Sequence, residues 1–205
     1  LHFTQKIFND FKSKQINHTN VCLHVGAGTF KPVKAETMEG HEMHAEWIDV
    51  NLETIDALID NAGKVIAVGT TSLRTIESLY WMGVKTFIQP ELEKLDIKQW
   101  DVYEKELNKP NLSATMALHS LKQWLIQKNT NRLFTQTQLL ITPGYSFKIA
   151  SALITNFHQP QSTLLLIIAA IMGNEWRSMY THALENAYRF LSYGDGSLLF
   201  IDDTA

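Results

Sequence analysis

The chain has 205 residues, 45% of them hydrophobic and 19% charged, with a formal charge of −3. That is ordinary globular composition, enough for one sizeable folded domain, and it excludes a broad basic face that holds nucleic acid by its phosphates alone. The longest apolar run, Leu164 to Met172, falls short of the roughly 20 residues a membrane helix needs. The single Cys22 excludes an intrachain disulfide and agrees with a reducing, cytoplasmic setting.

The sequence opens at Leu1 and runs directly into a helical pattern, so it is read as a piece of a longer protein. Phe3, Ile7, Phe8 and Phe11 share one helical face. Val21 to Val25 follows as a short strand ending in Gly26-Ala27-Gly28-Thr29-Phe30, where two glycines either admit a ligand to the backbone or simply relieve crowding. With no third glycine and no evident helix after it, this is not a dinucleotide fingerprint. His41-Glu42-Met43-His44-Ala45-Glu46 puts two histidines three apart rather than four, which does not match the zinc-protease helix pattern. A polar lining for a substrate, structural hydrogen bonding and a metal site stay open there.

Trp47 to Val50 reads as a strand, and Asn51 caps a helix with Leu52, Ile55, Leu58 and Ile59 as its stripe. Lys64 to Val68 is a buried-type strand entering Gly69-Thr70-Thr71-Ser72. A helix follows, with Leu73, Ile76, Leu79 and Tyr80 on its apolar stripe and Arg74 and Glu77 off it, spaced to pair with each other. The turn offers N–H groups and hydroxyls to an anion. Residues 82–136 form an atypical segment without visible chemistry. Within it Val84 to Ile88 is a candidate strand, and Ala117, Leu121, Trp124 and Leu125 mark a helix that covers the sheet, orients a partner or forms a lid.

Thr137 to Thr142 is a predicted strand, Pro143-Gly144 a turn, and Phe147 to Ile154 a second strand, broken by Asn156-Phe157-His158-Gln159-Pro160. Ser162 and Thr163 cap the apolar helix from Leu164. Tyr180, Leu184, Ala187, Tyr188 and Leu191 line a further helix, followed by Ser192-Tyr193-Gly194-Asp195-Gly196 and a last strand, Leu198 to Ile201. Asp195 between two glycines either serves a site or organises its own turn.

Taken together, LHFT at 1–4, LHVGAGTFKPV at 23–33, HEMHAEW at 41–47, VGTTSLRTIES at 68–78, TPGYSFK at 142–148, LITNFHQPQSTLL at 153–165 and YRFLSYGD at 188–195 resemble the S-adenosylmethionine:tRNA ribosyltransferase-isomerase family of queuosine biosynthesis. The resemblance departs at Gln159, where the family has Leu, at Gly196, where it usually has Ala, and in residues 82–136, which look expanded. It implies a single α/β domain over 1–205, a Rossmann-like sheet with flanking helices, without the family's inserted β-barrel domain.

The implied reaction moves the ribosyl part of S-adenosylmethionine onto 7-aminomethyl-7-deazaguanine in tRNA, giving epoxyqueuosine, adenine and methionine. S-adenosylmethionine is then a substrate rather than a cofactor, and no metal is demanded. The resemblance makes His158 the leading acid/base candidate, with Asp195 or Glu77 as alternative bases and Arg74 set for a carboxylate. Gly26, Gly28, Thr29, Thr70, Thr71, Ser72, Asn156 and Tyr193 would make close substrate contacts. Two other expectations are carried alongside: a catalytically silent RNA-binding or assembly module of the same fold, and a metal-dependent hydrolase using His41, His44 and Glu46.

Overall fold

The computed structural model of the chain describes residues 3–24, 40 and 42–201. Among these residues, six strands form two three-stranded sheets. In the first, β1 (Cys22–His24), β2 (Glu46–Asn51) and β4 (Arg132–Thr137) run antiparallel in the order β1-β2-β4. The second has the order β3-β5-β6, in which β3 (Val65–Val68) is parallel to β5 (Ala150–Asn156) and β6 (Gly196–Phe200) is antiparallel to it. The expected α/β class is therefore present, with one parallel β3–β5 pair at its centre.

The helices follow the apolar stripes. α1 (Gln5–Ser13) has no buried residue, and its rings pack on one another and on His18. α2 (Leu52–Asp60) starts where Asn51 accepts the Thr54 N–H at 2.8 Å, the cap read from the sequence. α3 (Thr70–Ile88) is buried along most of its length, with Leu73, Leu79 and Met82 fully inside. It packs against α5 (Ala114–Gln127), the covering helix expected in the middle segment. A short helix, α4 (Lys105–Asn108), precedes it. α6 (Thr163–Met172) begins at Ser162, whose hydroxyl accepts the Leu164 N–H, and α7 (Trp176–Glu185) follows.

Four expectations about local structure change. Val84 to Ile88 is the last turn of α3, because its Val84 and Thr86 are already buried against the helical neighbours. The strand placed at 137–142 lies earlier, at β4. Beyond it Gln138 bonds Ile97 while Leu139, Leu140 and Ile141 bury their side chains. β5 starts at Ala150 rather than Phe147, since a carboxylate takes up the N–H groups of residues 148–150. Finally, α7 stops at Glu185, and Ala187 and Leu191 adopt positive φ, so Tyr188 and Leu191 belong to a loop.

Residues 82–136 are joined to the core at several points. Leu95, Ile97, Val102, Leu118, Leu121 and Leu125 are buried core residues, Tyr80 donates to the Leu112 carbonyl, and Trp124 donates to that of Leu92. The tightest approach is between α3 and α5. A Cβ on Gly83 would lie 2.1 Å from the Ala117 carbonyl oxygen, which is backbone and cannot swing away. Alanine in a helix gains about 1 kcal/mol over glycine, but separating two packed helices costs about 1–3 kcal/mol or more. Gly83→Ala is therefore expected to lower the urea midpoint of unfolding despite its better helix propensity; an unchanged or raised midpoint would show that the two helices part freely.

Candidate active site

Three polar turns meet at one end of the β3-β5-β6 sheet. β3 and β5 are parallel, so their carboxyl ends point the same way, and ligands in α/β sheets bind outside such ends. Gly69, at φ +89°, turns the chain out of β3, and its N–H bonds the Ile154 carbonyl at 2.8 Å, tying this turn to the end of β5. α3 then starts without a side-chain cap, leaving the amides of Thr70, Thr71 and Ser72 at its positive end.

The turn after β5 is held by aromatic packing. Phe157 is buried among Tyr180, Tyr188 and Phe190 at centroid distances of 5.4–5.6 Å. Its carbonyl accepts the Leu191 N–H at 3.0 Å, and Asn156 donates to the Gly194 carbonyl at 3.0 Å. The Asn-Phe-His and Tyr-Gly-Asp turns are thus physically joined. His158 shares a 3.1 Å hydrogen bond between Nε2 and Thr155 Oγ1, and its own N–H donates to the Tyr180 hydroxyl at 3.0 Å. Burial lowers the imidazole pKa from 6.5 to about 4, leaving the ring neutral at physiological pH. Thr155 and Tyr180 were not singled out from the sequence, although one lies in the strand run before Asn156 and the other on the predicted stripe.

Asp195 accepts the Arg189 N–H at 2.7 Å and its guanidinium at 3.2 Å, which hold the carboxyl below its ordinary range. This bond organises the turn, as one of the two readings of Asp195 required. Tyr193 next to it is 97% exposed.

Glu77 and Arg74 do not form the expected surface pair, because α3 has no solvent face at their positions: Arg74 is 3% exposed and Glu77 fully buried. Arg74 instead bonds the buried Glu46 at the start of β2, with Met43 Sδ at 4.0 Å and its Nε without a partner among the described residues. Glu77 accepts the N–H groups of Lys148, Ile149 and Ala150 at 2.8–3.0 Å and the Tyr145 hydroxyl at 2.8 Å. Burial raises its pKa while those donors oppose the rise. Gly26, Gly28, Thr29 and His41 lie outside the described residues.

The matching family is described as a queuosine biosynthesis protein, and its profile covers residues 1–199. The chain belongs to this family. It is 40% identical over 210 residues to the S-adenosylmethionine:tRNA ribosyltransferase-isomerase of Chelativorans sp., covering all of this chain and 46% of that protein. The corresponding protein of Zymomonas mobilis is 37% identical over 203 residues, again with 46% of its length covered. A solved structure of S-adenosylmethionine tRNA ribosyltransferase from Thermotoga maritima superposes with a TM-score of 0.58 at 27% identity, over 96% of this chain and 49% of that one. The chain therefore spans about half the length of its queuosine-family relatives.

The hydrolase expectation gains nothing in this queuosine-family fold: Glu46 is occupied by Arg74, and His44 is exposed. Among the described residues one other set of metal-type donors, Cys22, His24 and Asp49, lies within 4.8 Å, with Asp49 engaged by Arg132. It borders an open cleft of about 540 Å³ lined by Asn20, Asn51, Glu53 and Asp56, apart from the three turns.

Two outcomes follow from these environments. A folded-state pKa below the ordinary 6.5 means that the stability His158 contributes is complete above about 6.5 and is lost as the pH falls towards about 4. An NMR titration of the His158 ring should accordingly give a midpoint near 4, and one near 6.5 would place the ring in solvent. Glu77→Ala leaves buried donors unpaired, each costing about 1–3 kcal/mol, so denaturant unfolding should show a loss of about 3 kcal/mol or more, with Glu77→Gln in between. A loss below 1 kcal/mol would mean that water replaces the carboxylate.

Proposed function

We propose that residues 1–205 form the α/β unit of an enzyme that transfers and isomerises the ribosyl moiety of S-adenosylmethionine onto 7-aminomethyl-7-deazaguanine in tRNA, giving epoxyqueuosine with release of adenine and methionine. One observation carries the reading: the Gly-Thr-Thr-Ser, Asn-Phe-His and Tyr-Gly-Asp turns converge at the carboxyl ends of β3 and β5 in a chain whose length matches the family from residue 1 to 199.

The chemistry asks for a base to take a proton acidified by the sulfonium, assistance to the departing adenine, and stabilisation of developing charge. His158, neutral and steadied by Thr155 and Tyr180, is the proton acceptor in this reading. The ionised Asp195 lies beside Asn156 at the same end of the sheet and suits a cationic centre or a ribose hydroxyl. The uncapped amides of Thr70, Thr71 and Ser72 suit the methionine carboxylate, and the Arg74 Nε–H, without a partner among the described residues, is a further donor in this reading. In this reading Tyr193, exposed on its turn, contacts the substrate, and Gly26, Gly28 and Thr29 are further candidates for close substrate contacts. Glu77 takes a positioning role, since its oxygens are occupied by the loop it holds.

The reaction itself requires no metal, and tRNA is the macromolecular partner. No helix among the described residues is long and apolar enough to cross a membrane, and we place the activity in the cytoplasm, where tRNA is modified.

The test is a chimera in which residues 1–205 replace the matching half of the Chelativorans relative, assayed for adenine release with S-adenosylmethionine and tRNA bearing 7-aminomethyl-7-deazaguanine. Release is expected, and His158→Ala should slow it by about 10²–10⁴-fold. A folded chimera that binds tRNA without releasing adenine would establish the silent module instead.

A further inference from the structure

The first sheet gathers three metal-binding side chains on one of its faces. Cys22 and His24 are two apart on β1 and so point the same way, and Cys22 pairs directly with Asp49 of β2. Side chains opposite each other in an antiparallel pair have Cβ atoms about 4.5–5.5 Å apart. Here the Cys22 Sγ, a ring nitrogen of His24 and a carboxylate oxygen of Asp49 all lie within 4.8 Å of one another, the one such group of three among the described residues.

Their neighbours hold two of the three in place. Phe134, the partner of Asp49 on β4, stands edge-on to the His24 ring at 6.1 Å and stacks on Trp47 at 4.7 Å, which sets the plane of the imidazole. Arg132 donates from Nε and Nη2 to the two oxygens of Asp49, and this keeps the carboxyl ionised, below its ordinary range. An ionised carboxylate has about four acceptor sites, so lone pairs remain for a cation. Carboxylates that bind metals are themselves hydrogen-bonded in this way.

The donor types select the ion. Thiolate and imidazole suit zinc-type cations, whereas Mg²⁺ and Ca²⁺ take oxygen ligands. Bond lengths of about 2.0–2.3 Å put the ligand atoms of a tetrahedral zinc site about 3.3–3.8 Å apart, so the three donors need to close by about 1–1.5 Å at most. β1 is an edge strand of three paired residues with Cys22 and His24 exposed, which leaves those side chains room to turn. Cys22 and Asp49 also line the open 540 Å³ cleft, where water has access to a fourth position.

We propose that Cys22, His24 and Asp49 bind one zinc-type divalent cation, with water from the cleft as fourth ligand, and that the ion staples the edge strand β1 to β2. On binding, the Cys22 thiol gives its proton to solvent and a sulfur lone pair to the metal. The site is on the other sheet from the three converging turns, and neither this binding nor the proposed transfer depends on the other.

Cys22 is the only cysteine of the chain, so any sulfur-to-metal signal comes from this position. The 205-residue chain, stripped with a chelator and kept reduced, is titrated with Co²⁺ and followed by absorption. One ion per chain is expected, with a thiolate-to-cobalt charge-transfer band in the near ultraviolet, the strong visible bands of a four-coordinate site, and displacement of both by Zn²⁺. Cys22→Ser should abolish the charge-transfer band. Even outer partners of a metal ligand are worth about 10–100-fold in affinity, so His24→Ala and Asp49→Asn should each weaken binding at least about tenfold, while His44→Ala leaves it unchanged. Circular dichroism checks the fold of each variant. In the unmodified chain, Zn²⁺ should slow maleimide labelling of Cys22 at least about tenfold. Binding without a charge-transfer band, a spectrum unchanged in Cys22→Ser, an equal loss in His44→Ala, or equal labelling with and without Zn²⁺ would each overturn the proposal.

Discussion

The structure depends on a carboxylate that never reaches water. Glu77, in the middle of α3, accepts three consecutive backbone N–H groups at the entrance to β5 and the hydroxyl of Tyr145, which in turn accepts the Trp81 N–H at 2.8 Å. An unpaired charge in that position would be prohibitive, and each of these donors would be costly to bury alone. Together they satisfy one another. The result fixes the depth at which the Pro-Gly-Tyr-Ser-Phe loop enters the sheet, and so the register with which β5 meets β3.

That register carries forward to the candidate site. Because β5 is set against β3, the Ile154 carbonyl meets the Gly69 N–H, and the amino end of α3 sits beside Asn156. From there the joining passes to side chains: Asn156 reaches the Gly194 carbonyl, Phe157 gathers three aromatic rings, and Tyr180 holds the amide of His158. The candidate site residues sit in turns and at the ends of elements, positioned by a buried interior. The second buried charge cluster, Arg74 with Glu46, ties the same helix to β2 of the other sheet. α3 is therefore the element through which both sheets are held in a common frame.

Ile66, Leu198 and Phe200 lie exposed on one face of the β3-β5-β6 sheet. Its other face places Ala67, Leu153 and Leu199 in the core, so the two faces of the sheet differ in burial rather than in polarity among the described residues.

Local signals were legible where they act locally. Asn51 and Ser162 announced helix starts because a capping side chain bonds amides only two or three positions away, and the strand of β3 was visible as an apolar run ending in glycine. The seven motif blocks were legible enough to indicate the family. The partnerships of Glu77 and Arg74 were not, since spacing on a helix says which residues are neighbours along it and nothing of whether that face is buried. The pairing that looked natural at three residues apart gave way to partners 28 and 71 to 73 residues distant. The end of α7 and the start of β5 were misplaced for a related reason: backbone amides drawn to a buried carboxylate, and residues at positive φ, override an apolar pattern that would otherwise continue. What the sequence by itself determined is the set of polar turns and the helices and strands that bear them. Which turns face one another, and which carboxylate is structural rather than free, was decided only by the tertiary structure, because burial is a property of the whole packing and not of any stretch of chain.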